Sequence, residues 1–113
     1  MKRGEIWLVN LDPTVGSEIK KTRPAVIVNA DSLGKLPLKI IVPVTDWKNH
    51  YSIAPWMIKL TPTAQNGLSK TSSADCFQVR SGSQIRLTKK LGHLRQDQMD
   101  EIVQELSAIL QIR

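Results

Sequence analysis

The sequence predicts a mainly β domain with a C-terminal α-helix, its five or six short strands arranged as a half-open barrel. Three observations predict it. Short apolar or alternating runs recur along most of the chain, each bounded by Pro, Gly, Asn, Asp or Ser. The last stretch changes period: Met99, Ile102, Val103, Leu106, Ile109 and Leu110 recur at three- and four-residue spacing, one face of a helix of about four turns. The chain has 113 residues, enough for one modest core and too few for two, so a single domain spans residues 1–113. No repeat, low-complexity tract or linker divides it.

Residues 5–11, EIWLVNL, set Ile6 and Leu8 against Trp7, Val9 and Leu11, a first strand buried on both faces and stopped by Asp12-Pro13. Residues 14–22 form a polar loop longer than a tight hairpin needs, a length that often serves binding. Residues 24–29 are the second strand, and residues 31–34, DSLG, a turn. The third strand is residues 38–45, LKIIVPVT; Pro43 inside it cannot donate to a ladder and argues for an edge position or a bulge just before Thr45. Residues 56–61, WMIKLT, make a fourth strand with Trp56 in the core, and Asn66-Gly67 marks the turn that follows. Residues 73–79 alternate as a fifth strand, residues 80–83 turn the chain, and a short strand or helical turn occupies residues 85–91. The helix carries Asp97, Asp100, Glu101, Gln104 and Glu105 on its polar face, with no Ser or Asp cleanly at its N-cap. Its apolar stripe packs on the barrel or on a dimer mate. An acidic polar face does not suit anionic lipid.

Hydrophobic residues are 41% and charged residues 23%, the balance of a soluble globular protein. No apolar run approaches the roughly 20 residues of a membrane helix, and the N-terminus enters a strand pattern without a signal-peptide core. A cytoplasmic protein without a membrane partner is expected. Cys76 is the one cysteine, so no internal disulfide and no cysteine-based zinc site can form, and core packing is its expected role. Sixteen Lys+Arg against ten Asp+Glu give a net charge of +6, which draws a small protein to polyanions by counterion release.

The most informative stretch is residues 16–30, GSEIKKTRPAVIVNA. A polar half with Lys20, Lys21 and Arg23 feeds directly into an apolar strand. Pro24 restricts the residue before it, so Arg23 is held extended at the strand mouth. Held this way, its guanidinium is either a rigid fork suited to phosphate oxygens or an ordinary structural cation. Histidine is the usual acid–base side chain, but His50 and His93 each stand alone, and surface or packing roles are expected for both. Trp47, beside cations, is a candidate platform for stacking bases or for a partner.

These residues carry a resemblance. The opening KRGEIWLVNLDPTVGSEIKKTRPAVIVNAD, with its Gly-Glu strand start, Asp-Pro stop, Gly-Ser-Glu loop and Arg-Pro strand, resembles the N-terminal signature of the MazF/PemK (Kid) family of toxin endoribonucleases. IIVPVT is similar to that family's third strand, and NGLSKTSSADCFQVR to its Gly-Leu turn and Gln-Val-Arg strand. The resemblance runs from residue 2 through the helix. It implies an SH3-like barrel of the CcdB/PemK plasmid maintenance toxin type, a homodimer, and sequence-specific cleavage of single-stranded RNA, mRNA included, without metal or other cofactor. It also implies a cognate antitoxin, acidic and MazE-like. Catalysis falls on Arg23 and Thr45. The loop of Gly16, Ser17 and Glu18 closes over RNA, and Gln78 and Arg80 lie near the groove. On their own chemistry rather than the resemblance, the cations Lys20 and Lys21 and the aromatic Trp47 are added to this RNA-binding set. Some members pair a first-loop histidine with an aspartate of the fifth-strand region; here that loop has no histidine, although Asp75 is present, which tells against an Asp-His mechanism.

The chemistry can also be stated from the residues. Metal-free RNA cleavage can use the adjacent 2′-hydroxyl as nucleophile, and the enzyme must then align it, move two protons and stabilise charge on phosphorus. Arg23 suits charge stabilisation and proton donation; a guanidinium, which seldom gives up its proton, fits the role of base poorly. Thr45 can orient or donate a hydrogen bond. Glu18 or a water remain for the base. Two other classes compete: a non-enzymatic poison of a topoisomerase such as gyrase, and a catalytically silent RNA-binding module.

Overall fold

A computed structural model describes residues 1–112. In chain order it contains β1 (Glu5–Asn10), β2 (Thr22–Ile27), β3 (Leu38–Asp46), β4 (Met57–Leu60), β5 (Ser72–Asp75), β6 (Arg80–Ser83), β7 (Leu87–His93) and α1 (Gln96–Leu110). The strands form one sheet of seven in the order β4-β5-β3-β2-β1-β7, with β6 also paired to β3, and every pairing is antiparallel. The mainly β architecture with one terminal helix is as the sequence predicts.

The expectation for Pro43 is corrected. β3 lies inside the sheet, with β2 on one side and β5 and β6 on the other. The Val28 N–H donates to Ile40 O at 2.9 Å, and alternation along the antiparallel ladder makes Ala25↔Pro43 a non-hydrogen-bonded pair. The missing N–H of Pro43 therefore faces the opposite edge. There β6 ends against Ile41 and β5 begins against Val44. Three steps along β3, from Ile41 to Val44, correspond to six along its partner, from Arg80 to Ala74. The surplus residues are Cys76, Phe77 and Gln78, a 3-10 turn. The bulge belongs to the segment between β5 and β6 and sits opposite the proline.

The same turn corrects two other readings. Residues 73–79 are not one strand: β5 stops at Asp75, whose side chain accepts the Phe77 N–H at 3.1 Å and caps the turn. Residues 80–83 are strand β6 rather than a turn, because the edge of Leu38–Ile41 supplies their hydrogen-bond partners and overrides weak local propensity. Trp56 is also corrected. It precedes β4, is 39% exposed and rests against Phe77 at 6.0 Å between ring centroids; Ile58 and Leu60 take the buried positions of β4. Residues 84–86 form a 3-10 turn and residues 87–93 a strand, so both alternatives for that stretch occur.

Alternation along the strands builds two apolar clusters, one on each face. Ile6, Val26, Val42, Val44 and Leu60 pack with Met99 and Ile102 of α1, so the helix stripe covers the barrel. Val9, Leu11, Ala25, Ile27, Ile41 and Leu87 form the second cluster, with Trp7 and Ile19 against it. The helix starts without a Ser or Asp cap: the Gln98 side chain accepts the Arg95 N–H at 3.3 Å. Cys76 is fully buried, and burial, with Asp75 and Glu105 nearby, pushes its thiol up to about 12, which rules out a thiolate nucleophile near neutrality. Asn66 is buried with its side chain satisfied by Thr61 O and the N–H groups of Thr63 and Leu68. Beside it Gly67 has φ +66°, and a Cβ there would lie 2.1 Å from Leu91 O, so this turn docks on β7 only with glycine. No helix of the described residues is long and apolar enough to cross a membrane.

Glu5 ties the start of β1 to β7. Burial raises its pKa, but the Trp7 indole N–H, the Lys2 N–H, the Lys90 ammonium at 3.0 Å and the N-terminal ammonium outweigh this and hold it at about 2. A depressed folded pKa stabilises the fold fully above the ordinary value of 4.5 and loses that contribution as pH falls toward about 2. Urea midpoints measured from pH 6 to pH 2 are expected to fall less steeply in Glu5→Gln than in the parent across that window.

Candidate functional site

Arg23 is on β2, paired with Val9 of β1. Continuing the β2–β3 register from Ala25↔Pro43 by two pairs sets Arg23 across from Thr45, and alternation keeps both on the Ala25 and Pro43 face. Arg23 and Thr45 are each half-buried, and both line a pocket of about 380 Å³ with Asp46, Lys70 and Leu91. Lys70 and Asp46 pair at 3.1 Å. Among the described residues, Arg23 Nε is the one buried side-chain nitrogen or oxygen without a hydrogen-bond partner. An orphaned cationic donor at a strand mouth calls for an acceptor, and Thr45 brings a hydroxyl to the same pocket.

The loop before β2 is held at its base by backbone carbonyls and two arginines. Lys21 N–H bonds Asp12 Oδ1 at 3.2 Å, and Lys21 O accepts the Leu11 N–H at 2.9 Å. Arg80 donates to Leu11 O at 3.3 Å, and Arg86 donates to Asn10 O at 3.1 Å and to Asp12 O. Lys21 has φ +69°, a left-handed conformation that costs a non-glycine residue about 1 kcal/mol. Such strain concentrates at functional sites.

Above this base the loop covers a second pocket of about 610 Å³, lined by Glu18, Ile19, Pro43, Phe77, Gln78 and Arg80 among others. Pro43 is two residues from Thr45 on the same face, so the pocket adjoins the Arg23–Thr45 pair. Gly16 stands at the exposed tip with φ +61°. Glu18 is exposed but turned back, accepting the Val15 N–H at 2.6 Å. Ser17, Lys20 and Lys21 are exposed.

The structure thus brings Arg23 with Thr45, and Ser17 and Glu18 with Gln78 and Arg80. Trp47 lies outside both groups. It follows Thr45 by two residues, but its ring carries the Lys59 ammonium at 5.1 Å and the edge of Tyr51 at 5.9 Å, and it lines neither pocket. His50 and His93 line neither pocket. Phe77, 66% exposed at the rim of the second pocket, was hidden in the sequence by an alternation that reads as strand. Asp75 is buried, and burial holds its carboxyl above the ordinary range despite hydrogen bonds from Phe77 and Gln78. Among the described residues no group of three or more His, Cys, Asp and Glu has the geometry to hold a metal.

The sequence pattern of the family described as PemK-like, MazF-like toxin of type II toxin-antitoxin system matches residues 2–110. The chain belongs to this family. It is 37% identical to Endoribonuclease PemK of Escherichia coli, over 97% of this chain and 82% of that protein. It is 32% identical to Endoribonuclease MazF9 of Mycobacterium tuberculosis, over 99% of this chain and 98% of that one. A crystal structure of MazF from Deinococcus radiodurans matches with a TM-score of 0.82 at 22% identity, covering 99% of this chain and 97% of that one. A MazE–MazF complex from the same organism matches at 0.76 and 23%, covering 100% and 97%. The PemK/MazF toxins thus share this mainly β fold, and the SH3-like half-open barrel is consistent with it.

Replacing the orphaned Arg23 with an apolar side chain of similar length removes an unsatisfied buried donor, a group that costs about 1–3 kcal/mol. Arg23→Met is expected to unfold at an equal or higher denaturant midpoint than the parent. A midpoint far below the parent's would make Arg23 a structural residue.

Proposed function

We propose that this PemK/MazF family member is an endoribonuclease toxin that cuts single-stranded RNA at short sequences through attack of the 2′-hydroxyl, without a metal ion. The observation that carries the reading is the unpartnered Arg23 Nε, in a pocket that Thr45 also lines. A guanidinium waiting for an acceptor is suited to a phosphate that gains negative charge as the 2′-oxygen attacks. Arg23 stabilises that charge and can donate a proton to the leaving 5′-oxygen, while Thr45 orients the phosphate. Glu18 or a water takes the 2′-hydroxyl proton; the single hydrogen bond to Val15 leaves the second Glu18 oxygen without one among the described residues. DNA lacks the nucleophile and is spared.

The endoribonuclease names of the PemK and MazF9 relatives support this reading. The exposed Lys20 and Lys21 and the net charge of +6 favour a polyanionic strand. The chain works as a cytoplasmic homodimer, and its regulator is an acidic, flexible antitoxin that competes with RNA for the basic groove, in keeping with the MazE–MazF complex of the same fold.

Incubation with a long single-stranded RNA in EDTA is expected to give discrete cuts at one short sequence, with 5′-hydroxyl and cyclic phosphate ends. Arg23→Ala and Thr45→Ala should each lower kcat/KM by about a hundredfold or more. Intact RNA from folded protein would overturn the reading. Antitoxin affinity, measured by calorimetry, should weaken as salt is raised from 50 to 500 mM, because charge complementarity is screened.

A further inference from the structure

Gln78 connects three parts of the molecule that are far apart in sequence. Its Oε1 accepts the Ile19 N–H at 2.6 Å, and its Nε2 donates to Ser17 O at 3.2 Å and to Asp75 Oδ2 at 3.1 Å. A primary amide has two N–H donors, and both are engaged. Gln78 therefore has no donor left for a nucleobase unless the loop is released. The other hydrogen bonds of Val15–Lys20 are internal, between Val15 and Glu18. Among the described residues, Gln78 is the one side chain outside the loop that hydrogen-bonds to this segment, and Ile19 adds an apolar contact beneath it.

The anchor is rigid where the loop is not. Asp75 is buried, caps the 3-10 turn through its other oxygen and accepts from Gln78 with Oδ2. Gln78 is itself in that turn, packed into the gap opposite Pro43. Residues 15–18 and Lys20 are exposed, the profile of a segment that opens at low cost.

We propose that Gln78 is a positioning residue, a strap that fastens the loop of residues 15–20 to Asp75 and so fixes Ser17 and Glu18 over the pocket that reaches Pro43, two residues from Thr45. Without the strap the loop samples open conformations, and RNA must order it on binding. Apparent affinity falls by the fraction of molecules already closed, so a tenfold drop in that fraction raises KM about tenfold. This kinetic consequence rests on the RNA-cutting reading; the strap itself does not.

Two measurements on the full chain test it. Trypsin under native conditions reads loop opening at Lys20 and Lys21. Gln78→Ala should speed cleavage there about tenfold while the rest of the chain stays protected. Gln78→Glu, which keeps an acceptor for the Ile19 N–H but loses both donors, should do the same. Parent-like rates in both variants, or cleavage spread over the whole chain, would overturn the strap. With an RNA oligonucleotide, Gln78→Ala should raise KM about tenfold and change kcat much less; a fall in kcat at constant KM would overturn the positioning role. If the parent cuts no RNA, the functional reading fails, and the trypsin result still decides the strap.

Discussion

β3 hydrogen-bonds to three other strands, and Pro43 is where two of them change over. A proline inside a sheet normally leaves a hole in the ladder. Here the hole faces the step from β6 to β5, where the facing segment has left the ladder for the turn Cys76–Gln78. The missing donor and the extra residues fit one another. The turn in turn places Gln78 against the loop that precedes Arg23, with Asp75 behind it.

The cations around the loop and the Arg23–Thr45 pair differ in what they are free to do. Arg80 and Arg86 donate to backbone carbonyls of residues 10–12 and hold the base of the loop, and Lys70 and Lys90 are ion-paired. Lys20 and Lys21 are exposed on the loop, and Arg23 keeps a buried N–H without a partner. Arg80, expected near the groove, lines the second pocket while it holds Leu11 O, so it can shape the groove wall without being free to follow a substrate.

Rigidity is distributed the same way. Arg23 and Thr45 are on neighbouring interior strands backed by the Val9, Ala25 and Ile41 cluster, which suits groups that must be held to fractions of an ångström. Glu18 and its neighbours are on an exposed segment with one external side chain to tie it. Fixed electrostatics beside an adjustable cover lets one scaffold hold the reacting phosphate while the strand on either side is accommodated.

The sequence by itself determined the mainly β class, the terminal helix, the Asn66-Gly67 turn and the arginine before proline, because each is written in local period, turn chemistry or dihedral restriction. It also carried the family, through motifs in order. It did not determine that Pro43 is interior, that residues 80–83 form a strand, that Trp56 is exposed or that Trp47 stands apart from the pockets. Those outcomes depend on which strand pairs with which, and on a three-residue surplus in the facing segment that shifts every following side chain. The engagement of Gln78 was likewise invisible, since its partners lie in a loop some sixty residues earlier in the chain. Local sequence constrains local dihedrals; register and the closure of long loops are set by the whole sheet.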